Sequence, residues 1–200
     1  MKILGIVCSP RKNGNTEVLV KEVLTSAHGY GAETDIIRVS SLDIKPCDGC
    51  ESCDITGNCR IKDDMQDVYA KMQEADGIII GSPVYFWGVS AQAKAIIDRT
   101  FVFRKQRQLR NKIGGAVVVA RTTGAASAIA ALNDFFTLQK MMPARSIGPR
   151  TAEELARERS GVAIGYADKR GEVRKHERAM AEAEALGRAM VETIAMVHKV

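Results

Sequence analysis

Two hundred residues, 46% hydrophobic and 26% charged, suit a single domain with a substantial buried core. The net charge of +5 is modest and the basic residues are scattered apart from one run, so nucleic acid is not the expected partner. No apolar run approaches membrane-spanning length, and the opening MKILGIVCSP lacks an h-region and cleavage site; no membrane is expected, and the compartment is a reducing cytoplasm.

Lys2 to Val7, KILGIV, is a short apolar run bounded by turn residues and predicts a buried parallel strand. The polar loop CSPRKNGNT, Cys8 to Thr16, leads into a helix with Val18, Leu19, Val23, Leu24 and Ala27 on one face. Strand, polar loop and helix is the layout of a phosphate site, because a helix N-terminus offers unpaired N–H groups and the positive end of its dipole. Ser9, Asn13, Asn15 and Thr16 add side-chain donors, Arg11 or Lys12 adds charge, and Gly14 lets the backbone approach an anion. The loop has neither Walker A nor G-x-G-x-x-G spacing, which disfavours ATP and dinucleotides. The plain alternative is a polar turn with a helix cap.

A second strand is expected over Ala32 to Val39, followed by PCDGCESCDITGNC, residues Pro46 to Cys59. Cys47, Cys50, Cys53 and Cys59 are spaced C-x2-C-x2-C-x5-C, so one bent loop could wrap a compact object. Ferredoxin-type C-x2-C-x2-C runs supply three thiolates of a [4Fe–4S] cube, and here the fourth is also local. Zinc is the alternative, although a Zn(Cys)4 site usually separates two C-x2-C knuckles by a longer spacer. Disulfides fit poorly in a reducing compartment and across such small loops. KDDMQDVYAKMQEA then opens with acidic residues, as a helix start should, and carries Met65, Val68, Tyr69 and Met72 on its apolar face.

Asp76 to Ser82 is the third and most hydrophobic strand, and it runs into PVYFWG. Three consecutive aromatics, Tyr85, Phe86 and Trp87, stand between Pro83 and Gly88 at the C-terminal end of a parallel strand, where open α/β sheets bind ligands. They read as a loop meeting a planar ligand, with packing beneath the loop as the alternative. A helix follows to Asp98–Arg99. Next comes a basic connection containing Arg104, Lys105, Arg107, Arg110 and Lys112, either a solvated loop or a docking patch for an acidic carrier. Lys112 to Ala120 predicts the fourth strand, RTTGAAS its exit loop, and a helix reaches about Lys140. MMPARSIGP is a weak fifth strand, residues 149–172 read as irregular, and one long amphipathic helix is expected from Val173 to Lys199.

Alternation of strands and helices implies one domain over residues 1–200, a flavodoxin-like, doubly wound, five-stranded parallel α/β sheet with a cysteine-rich loop at 46–60 and a long C-terminal helix. A phosphate loop and an aromatic loop at the same sheet edge suit FMN, which has one phosphate, a ribityl chain and a flat ring. No hydrolase constellation is present, and no residue is assigned a catalytic role.

The motifs GIVCSPRKNGNT, IKPCDGCESCDITGNC, KDDMQ and ADGIIIGSPVYFWGVSAQAKAIIDR, covering most of residues 1–100, resemble those of the iron–sulfur flavoproteins, a branch of the NADPH-dependent FMN reductase/flavodoxin-like superfamily. The resemblance implies a [4Fe–4S] cluster on Cys47, Cys50, Cys53 and Cys59. It implies FMN held by three loops: Ser9, Arg11, Asn13, Asn15 and Thr16; Pro83, Val84, Tyr85, Phe86, Trp87 and Gly88; Arg121, Thr122 and Thr123. It also implies a homodimer or tetramer, and electron transfer between FMN and a one-electron carrier such as ferredoxin. The alternatives are an NAD(P)H-dependent FMN or quinone reductase and a non-enzymatic redox sensor.

Overall fold

The computed structural model describes residues 1–145 and 161–198. Buried apolar runs become parallel strands: β1 (Lys2–Val7), β2 (Glu33–Arg38), β3 (Gly77–Tyr85) and β5 (Ile113–Ala120), with a two-residue antiparallel β4 (Gly88–Val89) folded back on β3. The sheet order β2-β1-β3-β5-β6 places the reversal in strand order between β1 and β3, the expected doubly wound arrangement.

The fifth position is built differently from the expectation. β6 (Met142–Pro143) pairs with the start of β5, and β7 (Val162–Tyr166) pairs in parallel with its remainder. VAIGY is therefore strand, not irregular chain; residues 146–149 of the expected fifth strand and Lys199 lie outside the described residues.

Helices α1 (Asn15–Gly29) and α6 (Glu177–Val197) cover one face, where Ile3, Val23, Ile79, Leu186 and Met190 share a core. α6 starts after a short 3-10 turn at Glu172–Lys175 and buries Ala183, Leu186, Met190 and Ile194 as its periodicity predicts. Gly187 lets α6 touch α1, since a Cβ there would lie 2.3 Å from the Val23 carbonyl oxygen. α3 (Met65–Glu74), α4 (Ala91–Arg99) and α5 (Ala125–Leu138) cover the other face around Ile78, Ile80, Phe103 and Phe135. Among the described residues no helix is long and apolar enough to cross a membrane.

Candidate functional site

Four loops meet at the C-terminal edge of the sheet. The first is residues 8–14. Ser9 is buried and its Oγ accepts the Arg11 N–H at 3.2 Å. Asn13 has a left-handed backbone (φ 54°) held by its N–H donating to Glu17 Oε2 at 2.7 Å. Gly14 occupies the cap of α1 with no side chain capping it, and the first intrahelical bond is Val18 N–H to the Gly14 carbonyl. The N–H groups of Asn15, Thr16 and Glu17 thus have no intrahelical acceptor, which is the donor arrangement an anion needs.

Glu17 organises this loop. Its buried carboxylate takes Lys21 and Arg38 at 2.8 Å as well as the Asn13 N–H. Burial alone raises its pKa, but these partners outweigh it and hold the carboxyl down to about 2, against an ordinary 4.5. A depressed folded-state pKa contributes stability above the unfolded value, lost as pH falls through the folded one. Glu17→Gln is therefore expected to destabilise the protein by about 2 kcal/mol at pH 7. In urea titrations the gap should close between about pH 4.5 and 2. A pH-independent gap would contradict this role.

The second loop, read from sequence as a loop between Pro83 and Gly88, is a tight hairpin. Pro83, Val84 and Tyr85 belong to β3, Val84 pairs with Val89, and Tyr85 pairs with Gly88. Phe86 (φ 48°) and Trp87 (φ 64°) form the two-residue turn, both left-handed and exposed. Such turns favour Asn-Gly, and bulky residues there cost about 1–2 kcal/mol each. The hairpin is anchored by Ser90, whose Oγ donates to the Cys8 carbonyl at 2.7 Å and accepts the Ala93 N–H at 3.2 Å.

The third loop carries Arg121, Thr122 and Thr123, all exposed, ahead of Gly124 at the start of α5. Gly124 is left-handed (φ 87°), and a Cβ there would crowd the Trp87 Cα at 3.0 Å, so this loop packs directly on the hairpin. The fourth loop, residues 167–171 after β7, had no counterpart in the sequence reading. Arg11 Nη1 donates to the Asp168 carbonyl at 3.3 Å, and Arg121 pairs with the Asp168 carboxylate at 3.4 Å. Asn15 Nδ2 donates to the Lys169 carbonyl, and its Oδ1 accepts the Val173 N–H. The Asn15 side chain is therefore engaged by this turn, and its backbone N–H stands at the helix N-terminus.

The cysteine loop is a separate construction at the other end of α4 and α5. Its neck is closed by reciprocal bonds between Asp43 and Asp64 and by the Lys45 N–H donating to Asp63 at 2.9 Å. Arg99, at the end of α4, makes a two-pronged pair with Asp63 at 2.6 and 2.9 Å and donates to the Lys45 carbonyl at 2.7 Å. Both side chains are buried, and the Tyr69 hydroxyl donates to the Arg99 carbonyl at 2.8 Å. Burial opposes the Arg99 charge, yet Asp63, Tyr69 and Cys59 more than offset it, so the guanidinium stays charged. Asp63, read from sequence as a helix-start acid, is thus the buried partner of an arginine 36 residues away.

Beyond the neck the chain turns sharply at Gly49, Glu51 and Gly57, all left-handed, around a short helix α2 (Ser52–Thr56). Cys47, Cys50, Cys53 and Cys59 line one cavity of ≈ 790 Å³, walled by Ile97, Val102 and Phe135. Among the described residues no three His, Cys, Asp or Glu side chains converge tightly enough to hold a metal ion. The donor chemistry nevertheless suits an iron–sulfur cluster: four thiols of one loop around one cavity, none in a disulfide. Cys8 does not belong to them. It lies fully buried after β1, where desolvation pushes its thiol pKa up.

The basic run is tied to this loop. Arg104 stacks on Phe101 at 4.4 Å and pairs with Asp54 at 3.3 Å, and Lys105 donates to the Asp54 carbonyl at 2.7 Å. Lys112 donates to the Gln73 and Ala75 carbonyls, so it is a fastener of α3 and no part of an open patch.

Residues 1–154 match the family described as NADPH-dependent FMN reductase. An iron–sulfur flavoprotein of Methanocaldococcus jannaschii is 39% identical over 201 residues, covering 100% of both chains. The chain belongs to the iron–sulfur flavoproteins of the NADPH-dependent FMN reductase family. An iron–sulfur flavoprotein of Archaeoglobus fulgidus is 37% identical over 196 residues, 96% of this chain and 94% of its own. Among solved structures, RosB with bound 8-demethyl-8-formylriboflavin-5′-phosphate superposes with a TM-score of 0.75 at 17% identity, covering 100% of this chain and 81% of its own. That likeness bears on the fold. As a member of this family the chain is a flavoprotein oxidoreductase.

Proposed function

We propose that this iron–sulfur flavoprotein binds one FMN at the sheet edge and one [4Fe–4S] cluster on Cys47, Cys50, Cys53 and Cys59, and passes electrons between the flavin and a one-electron carrier such as ferredoxin. The observation that carries the reading is the cysteine loop: four thiols around one cavity, with the neck locked by a buried ion pair, on a chain of a flavin reductase family. Bound FMN supplies one- and two-electron chemistry and the cluster one-electron chemistry. The protein's part is placement. The helix N-terminus at residues 14–17 and Ser9 take the phosphate, Arg11 and Arg121 stand beside it on Asp168, and the hairpin offers its rings to the isoalloxazine. FMN is favoured over FAD because the edge has one phosphate loop and no second nucleotide fingerprint.

The strained aromatic turn supports this role, since strain at an exposed turn points to use of its side chains. Replacing Phe86–Trp87 with Asn–Gly is expected to raise apoprotein stability by about 1–2 kcal/mol and to weaken FMN binding by about tenfold. Thermal unfolding and flavin fluorescence titration measure the two effects. Unchanged FMN affinity would remove the aromatics from the flavin site.

Arg107 and Arg110 are exposed and form no ion pair among the described residues, beside a loop fastened to the cysteines by Arg104 and Lys105. This supports docking of an acidic carrier next to the cluster. Reversing Arg107 and Arg110 to Glu should slow ferredoxin-linked flavin reduction about tenfold at low salt. The rates should converge near 1 M salt, where the screening length is about 3 Å. Reduction by dithionite should be unaffected. Equal rates at low salt would leave the run as solvated surface.

The second reading, an NAD(P)H-dependent flavin or quinone reductase, is favoured by the family's description. Stopped-flow mixing with NADPH separates the two: rapid bleaching of the flavin without ferredoxin supports the second.

A further inference from the structure

One nitrogen of Arg99 has no partner. Its Nη1 and Nη2 are committed to Asp63 and the Lys45 carbonyl, but its Nε is buried without a hydrogen-bond partner among the described residues. Buried side-chain donors are almost always paired, and an arginine N–H more so than most because it carries charge. Arg99 also lines the cavity shared by the four cysteines. Cys59 lines that cavity with Arg99 and lies four residues before Asp63, the carboxylate that Arg99 holds.

We infer that the Arg99 Nε–H donates a hydrogen bond to a sulfur atom of the cluster at its Cys59 corner and thereby sets the cluster's reduction potential. This rests on the cluster reading above. Adding one electron increases the negative charge on the sulfurs, so an N–H aimed at one of them favours the reduced state and raises the potential. Arg99 thus acts twice. Its outer nitrogens position the loop, and its inner one tunes what the loop holds.

Arg99→Lys tests the second role. Lysine keeps the positive charge for Asp63 but places a methylene where arginine has Nε–H. Parent and variant are purified anaerobically, their iron and sulfide counted, and cluster and flavin titrated potentiometrically with detection by electron paramagnetic resonance. The variant's cluster midpoint should fall so that, at the parent's midpoint, the ratio of reduced to oxidised cluster drops about tenfold, which for one electron is about 59 mV. The flavin midpoint should not move. In parent protein labelled with 15N-arginine, the reduced cluster should show a 15N hyperfine coupling that the variant lacks. A fully loaded variant with an unmoved midpoint overturns the inference. So does a fully loaded parent without the 15N coupling, which decides the matter even if the variant fails to load iron. A parent that binds zinc, or no metal, overturns both this inference and the cluster reading.

Discussion

Replacing any one of Cys47, Cys50, Cys53 or Cys59 by alanine is expected to abolish stable iron binding while leaving the flavin in place. A cubane cluster held by one loop has no spare thiolate, because the fifth cysteine, Cys8, is buried in the core away from the cavity the four share. The flavin should survive because the two sites are built on different ends of the same helices. Ser90, at the start of α4, fastens the hairpin, whereas Arg99, at its end, fastens the cysteine loop. The nine residues of α4, Ala91–Arg99, span about 13 Å. Cys8→Ala should keep both cofactors, since a buried free cysteine acts as a small apolar packing group. Iron and flavin assays on the five single variants check this. Loss of iron in Cys8→Ala, or full iron in any loop variant, would reassign the ligands.

Arg99→Ala is expected to cost about 3–5 kcal/mol, because it leaves the Asp63 carboxylate buried without its counter-charge. The carboxylate is held below its usual pKa: burial opposes this, but Arg99 and the Lys45 and Met65 N–H groups prevail. Removing Arg99 also frees the Lys45 carbonyl, so the neck of the cysteine loop loosens and iron loading falls with stability. The double variant Arg99→Met/Asp63→Leu separates the two consequences. It removes both charges, so much of the stability should return, while the tether from Asp63 to the Lys45 N–H is gone and iron loading stays low. Chemical denaturation and iron counts on both variants read the result. An Arg99→Ala protein as stable as the parent would show that the pair does not hold the neck.

The parts of the fold legible in the sequence were those set by local pattern. KILGIV, DGIIIGS and KIGGAVVVA are short apolar runs bounded by turn or polar residues, which favours buried strands, and the steps of three and four along α6 mark its buried face. The fifth sheet position was not legible, because its two pieces, of two and five residues, are strands only through pairing with β5. The hairpin was missed because Tyr-Phe-Trp-Gly lacks the Asn-Gly signature of its turn type. In the candidate site, the cysteine loop and the polar loop ahead of α1 were readable from residue type and spacing. Arg99 and Asp63 were not, since each looks like an ordinary charge at a helix end and acquires its role from a partner 36 residues away. The loop at 167–171 was invisible for the same reason, although Asn15, spent on the Lys169 carbonyl, links it to the first loop.

We propose one chain carrying both an FMN and a four-iron cluster on its cysteine loop. Anaerobic purification followed by counts of iron, acid-labile sulfide and extracted flavin tests it most directly. Iron and sulfide are expected in equal amounts, at about four of each per FMN, with a broad charge-transfer band beneath the flavin spectrum. Stoichiometric zinc without sulfide, or FAD as the extracted flavin, would contradict it.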